Sequence, residues 1–442
     1  KGLVLGIYNE GSEDEHEFKL TSAGNKFNDS VIRHGGRIQK GEVQVFQNLE
    51  SEFYSIAIAG LGPEDVGFNT LENLDECREN VRIAAGVGVR ALRALGVGQI
   101  SVEGFGQAEA AAEGATLAAW RFQQFRARED QKVVPSLELY HDPDMDGWNR
   151  GLLKGEAQNL ARTLSDTPAN IMTPTLFAQA ASDALCPCGV SIDLRDKGWI
   201  QTKGLTGILA VTKGSAEPPA FLEMSYCGGA MEAKTITFKC KPMKESRADM
   251  AGAAAIVGAF KGAASLSLPV NINACIPLCE NMTSGMAMRP GDVIITNNGK
   301  TVEVENTDYE GRLILMDGLT YAREQHNPRL LIDVATLTRA LGGSSSGVYT
   351  NNHEVWREIS KAGAITGDRV WRFPLWEHYT RKEFVPCGDW MHIDIASCGM
   401  LSHAIDYPYL SVGRMTGRPT RTLIQFLYQI ACPPKDKDKR KV

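Results

Sequence analysis

No stretch of this 442-residue chain approaches the roughly 20 consecutive apolar residues that a membrane-spanning helix needs, and mean hydropathy is −0.20. No membrane partner is expected. A basic excess is also missing. Lys and Arg number 47 against 53 Asp and Glu, a net charge of −6, so the electrostatic footprint of a nucleic-acid binder is lacking and no nucleic-acid partner is expected. The ten cysteines form neither a disulfide framework nor a zinc motif. Cys186-Pro187-Cys188 and the Cys275/Cys279 pair have no second ligand pair nearby, and HExxH does not occur. They read as buried free thiols of a reducing compartment, cytoplasm or mitochondrial matrix. No internal repeat is visible. The opening KGLVLGIY reads as a strand and not as a signal peptide, while the missing initiator Met leaves room for a targeting segment upstream.

What is present is ordinary for a globular chain: 43% hydrophobic and 23% charged residues. Length suggests two or three domains. LVLGIY (3–8) and FYSIAIAGLG (53–62) are short apolar runs ending near Gly, as buried strands do. Residues 71–95 and 107–122 have helical composition, and 99–104 read as a strand between them. This βαβα order implies a mostly parallel sheet under helices. A polar exit at 127–148 and a helix at 148–165 follow. TPANIMTPTLF (167–177) suits a loop entering a helix at Pro174. Further on, strands are expected at 236–238, 270–278, 292–296, 302–307 and 330–337, with helices at 247–265 and 310–325. The tail KDKDKRKV is a solvated charge run. The division is 1–150 for an N-terminal α/β domain, 151–170 for a connecting helix and loop, and 171–442 for a larger C-terminal α/β domain.

The segment Asn306-Thr-Asp-Tyr-Glu-Gly-Arg312 carries most of the chemistry. Strands and extended loops point residues i and i+2 to one side, so Asp308 and Glu310 present two carboxylates together at the end of a strand and the start of a helix. Such a pair repels unless it holds cations or protons, and Arg312 next to it suits an anion. A helix start dressed with acids for the dipole is the plainer reading, and spacing alone favours it. Asp249, at the head of an Ala/Gly-rich helix, adds a third oxygen donor of the kind divalent ions take.

NTDYEGRL (306–313) resembles the NTDAEGRL signature of the leucyl aminopeptidase (M17) metallopeptidases. Similar blocks run along nearly the whole chain, among them QNLARTLSDTPANIMTPT (158–175), RADMAGAAA (247–255), LCENMTSG (278–285) and MTGRPTRTLIQFL (415–427). The match is most similar to the animal cytosolic type and extends to the sperm-type leucyl aminopeptidase-like proteins of insects, several of which have altered metal ligands. The resemblance implies a small mixed α/β N-terminal domain of macro-domain-like form, a larger catalytic-type domain with a mixed central sheet, and a homohexamer or related hetero-hexamer. It also implies removal of N-terminal residues from peptides by two divalent ions, Zn, Mn or Mg, that activate a bridging water. Carried over position by position, it makes Lys234, Asp249, Asp308 and Glu310 the metal ligands and Arg312 the catalytic arginine. Asn306, Tyr309 and Thr336 fall in the substrate pocket.

This chain departs from the pattern where the ions should sit. The family's GKGITFDSGG is AKTITFKCKP here. The carboxylate that bridges both ions is replaced by Lys239, which puts a cation within a few ångströms of cations. Cys240 falls in the same loop without a partner that would make it a zinc site. The stretch carrying the family's electrophilic Lys is short, so that role stays unassigned, and Tyr309 replaces a small Ala. Further shortenings follow ATLT and the YTR of residues 379–381. They are either deletions in the protein or stretches missing from the sequence, and their position inside otherwise intact blocks favours the second. A catalytically impaired, structurally retained family member is therefore expected, with an active manganese- or zinc-dependent leucyl aminopeptidase as the alternative.

Overall fold

The computed structural model describes residues 1–10, 17–33, 37–229, 249–337, 345–376, 388–400 and 407–433. Two compact units emerge: residues 1–159 with 363–367 and 401–413, and residues 160–362 with 368–400 and 414–442. Both are α/β.

The first unit contains β1 (Gly2–Glu10), β2 (Glu17–Leu20), α1 (Asn28–Arg33), β3 (Val43–Gln47) and β4 (Ser55–Gly62). A two-rung ladder, β5 (Phe68–Asn69) and β6 (Leu74–Asp75), leads into α2 (Glu76–Ala94). Then come β7 (Gln99–Glu103), α3 (Ala108–Ala119), β8 (Ser136–Tyr140) and α4 (Met145–Asp166), which crosses the division between the units. The main sheet runs β3-β4-β1-β7-β8 with β2 added on β1. Pairings β1–β4, β1–β7 and β7–β8 are parallel, whereas β2 and β3 are antiparallel. Along β1, Val4 joins Ala57, Val102 and the helices α2 and α3, while Leu3, Leu5 and Ile7 join Ile56, Ile58, Phe27 and Phe46. Burial on both faces explains why these strands read as continuous apolar runs.

Helix α2 begins later than composition suggests, at Glu76, because the Asp75 side chain accepts from Arg78 N at 3.1 Å and caps it. Helix α3 stops at Ala119, where Trp120 turns extended. The two helices touch through small residues: a Cβ on Gly114 would stand 2.1 Å from the Arg82 carbonyl oxygen. Arg82, 1% exposed, is balanced there by Glu113, reached through Nε at 2.9 Å, and by Glu79.

The second unit adds α5 (Pro174–Leu185), β9 (Ser191–Arg195), α6 (Lys197–Thr202), α7 (Thr206–Val211), β10 (Ala220–Cys227), α8 (Ala251–Ser265) and β11 (Asn271–Leu278). It continues with β12 (Val293–Ile295), β13 (Thr301–Glu303), α9 (Glu310–His326), β14 (Leu330–Ala335), β15 (Ser346–Thr350), α10 (His353–Thr366, of which residues 363–366 count with the first unit), β16 (Val370–Arg372), β17 (Asp389–Asp394) and α11 (Thr420–Ala431). Thr173 caps α5 and Pro174 opens it, as the sequence signals. Strands β11-β10-β9 form an antiparallel sheet, and β14-β17-β15-β16 a mixed one. Helix α8 lies against α11, where a Cβ on Gly262 would meet Ile424 at 2.2 Å. Asp368 holds Arg418 at 2.8 Å and Arg421 at 3.5 Å, all three at most 1% exposed. Among the described residues no helix is long and apolar enough to cross a membrane.

The strand expected at 236–238 lies outside the described residues. That expected at 302–307 shrinks to the three residues of β13. Every cysteine among the described residues is free, but only Cys275, Cys279 and Cys398 are buried; Cys186, Cys227 and Cys432 are exposed. Exposure of these thiols corrects the expectation of buried ones: the short helical Cys186–Cys188 turn and the ends of β10 and α11 are surface positions.

Candidate functional site: the strand-to-helix turn before α9

After β13 the chain tightens and does not stay extended. The Asn306 side chain accepts from Asp308 N at 2.8 Å, and Thr307–Tyr309 form a single 3-10 turn that runs into α9 at Glu310. Asn281 Nδ2 donates to Thr307 O at 3.3 Å and ties the preceding LCENMTSG segment to this turn. The i, i+2 argument for Asp308 and Glu310 therefore fails, because alternation requires a strand and a 3-10 turn repeats about every three residues. Asp308 is exposed, whereas Glu310 is 1% exposed at the first position of α9, where the positive end of the helix dipole favours a carboxylate. Buried Cys279 lies near it. Burial first, then the Glu310 and Asp317 charges, push that thiol up to about 12. A neutral thiol is the consequence.

Tyr309 is 46% exposed, and the Arg312 guanidinium lies 5.3 Å from its ring centre. The ring thus covers the arginine by a cation–π contact. Asp249, 5% exposed, sits in the turn just before α8, and the Thr336 hydroxyl, beyond the end of β14, donates to it at 3.3 Å. The fold thereby joins a carried-over metal ligand to a carried-over pocket residue. Lys234, Lys239 and Cys240 lie outside the described residues.

A further charged group was missed from the sequence. In β17 the alternation of Trp390, His392 and Asp394 puts the three on one face, and β14 runs parallel with Asp333 opposite His392. Trp390 Nε1 donates to Asp333 at 2.7 Å, and His392 Nδ1 bonds the other Asp333 oxygen. Burial works against a charge on His392, but Asp333 and then Asp394 outweigh it and raise its pKa, while Arg312 opposes them. The period-2 pattern of DWMHID was the available signal.

The two α/β units correspond to the two domains of a known class, the aminopeptidases. Residues 4–129 match the N-terminal domain of the cytosol aminopeptidase family, and residues 159–383 match its catalytic domain. The chain belongs to that family, the leucyl aminopeptidases of the M17 group. Cytosol aminopeptidase of Bos taurus is 41% identical over 490 alignment positions, covering 98% of this chain and 93% of the relative. That of Homo sapiens is 40% identical over 489 positions with the same coverage. With 98% of 442 residues spread over 490 positions, several dozen positions hold residues of the bovine relative against none here. Among solved structures, the bottromycin maturation enzyme BotP in complex with Mn has a TM-score of 0.82 at 26% identity, covering 97% of this chain and 99% of that one. A tomato leucine aminopeptidase mutant shares the fold, with a TM-score of 0.80 at 23% identity over 97% of this chain and 93% of that one.

Proposed function

We propose that this chain is an aminopeptidase-family protein with impaired hydrolysis, retained as a self-associating structural protein. The observation that carries the reading is Lys239 where the family places the carboxylate that bridges two ions. Asp249, Asp308 and Glu310 supply three oxygen donors, but one of them is exposed and the bridging group is cationic, so this donor set does not fit a pair of divalent ions. Coverage of Arg312 by the Tyr309 ring, at a position where the family has a small side chain, supports the same reading. A homohexamer, or a hexamer mixed with related chains, is the assembly we propose, in the cytoplasm or the mitochondrial matrix; a sperm protein is the narrower form of this reading.

The second reading, an active leucyl aminopeptidase, is favoured by the retained Asp249, Asp308, Glu310 and Arg312. Hydrolysis of leucine p-nitroanilide with added Mn or Zn separates the two. Turnover near that of the bovine relative ends the impaired-enzyme reading. If Lys239 is the principal lesion, Lys239→Asp raises the metal retained after dialysis by roughly tenfold. No gain assigns the defect to the shortened loops or to Tyr309.

A further inference from the structure

Glu223, Cys275 and His326 each bring one ligand-type atom to within 4.8 Å of the others, the one such trio among the described residues. The fold builds this grouping from three separate segments. Strands β10 and β11 are antiparallel with Glu223 directly opposite Cys275, so both side chains leave the same face of the sheet. Helix α9 ends at His326. One turn earlier, the Tyr321 hydroxyl donates to Glu223 Oε1 at 2.8 Å. Asn273, two residues before Cys275 and therefore on its face, has Nδ2 3.2 Å from His326 Nδ1. Arg195 Nε donates to Glu223 Oε2 at 2.7 Å.

These partners hold the potential ligands in place without using them up. A carboxylate has about four lone-pair positions, and Glu223 spends two. Its hydrogen bonds from Tyr321 and Arg195 are outer-layer supports of the kind that orient metal ligands, and the Asn273 amide, turned so that its oxygen accepts from His326 Nδ1–H, leaves Nε2 for an ion. Arg195 also faces Asp193 at 3.5 Å and is 37% exposed in its side chain, so its charge is divided and hydrated. Phe221 and Trp199 pack on Tyr321 at 5.1 and 5.2 Å and form a dry wall beside the trio. Cys275 is buried, while Glu223 and His326 are half-buried and leave a way in.

We propose that Glu223, Cys275 and His326 form a zinc(II) site, separate from the acids before α9, with water in its fourth position. One thiolate, one imidazole and one carboxylate suit zinc and not calcium or magnesium. Tetrahedral bonds of about 2.0–2.3 Å put ligand atoms roughly 3.5 Å apart, so the trio closes by about 1 Å on binding. The Cys275 thiol gives its proton to solvent as the S–Zn bond forms, one proton per ion, and no electrons are transferred.

Cobalt(II) tests this on the full chain, because only thiolate ligation gives an intense near-ultraviolet charge-transfer band and the family's ligands contain no cysteine. Titration with cobalt(II) is expected to saturate at one equivalent for this band, and added zinc is expected to abolish it. Cys275→Ser is expected to lose the band, whereas the double variant Asp308→Asn/Glu310→Gln keeps it. His326→Gln, at a half-buried position, weakens the affinity by at least tenfold and serves if the serine variant does not fold. No band in the wild-type chain, a band persisting in Cys275→Ser, or unchanged affinity in His326→Gln overturns the proposal.

Discussion

Glu103 closes β7 in the first unit at 6% exposure, with its carboxylate accepting from the Thr21 hydroxyl at 2.7 Å and from Gly6 N at 3.2 Å. Burial outweighs those bonds and lifts its pKa to about 7. The unfolded chain releases this proton near the ordinary 4.5, so between those values the native state binds more protons and stability falls as pH rises through the window. Glu103→Gln removes the titration while keeping an oxygen that accepts. Thermal denaturation is expected to show the variant gaining on wild type between pH 4.5 and 7, by roughly 2–3 kcal/mol at the upper end. A constant difference across that range rejects the assignment. Asp317 behaves alike: burial raises it to about 7 although Ile208 N donates to it at 2.9 Å.

At the scale of elements, the approach of α2 and α3 depends on a missing side chain. Gly114 places α3 against the Arg82 carbonyl, a backbone atom that no rotamer change can move. Gly114→Ala is expected to force the helices apart and cost about 1–3 kcal/mol in urea denaturation, whereas alanine is otherwise the better helix former. A stabilised variant shows that the helices can shift freely. The turn before α9 is the second case. Nothing in the composition of VEVENTDYEG distinguishes an extended segment from a 3-10 turn. Hydrogen bonds from Asp308 N to the Asn306 side chain and from Tyr309 N to the Asn306 carbonyl close the turn, which leaves Asp308 exposed and Glu310 buried.

For the whole molecule, the structural role proposed above requires self-association. Light scattering of the 48.2 kDa chain is expected to give a mass near six protomers, and a monomer at micromolar concentration contradicts a hexameric role. Here the bovine relative carries several dozen positions with no counterpart in this chain, yet the TM-score of 0.82 to BotP spans 97% of it.

The sequence by itself determined the α/β class, the apolar strands β1, β4, β11 and β14, the helices α2, α3 and α9 to within a few residues, and the family, because burial on both faces of a strand and contiguous motif blocks are written in local order. It also displayed Lys239, a change of charge visible without coordinates. Pairing and facing were decided only by the tertiary structure. Antiparallel β2 and β3 flank a parallel core, Thr336 reaches Asp249 across 87 positions, and Asp333 meets His392 across 59. Glu223, Cys275 and His326 span more than a hundred positions and have no motif spacing at all. Such groupings depend on which strands lie side by side and on where a helix ends over them, and those distances arise only when the sheet closes.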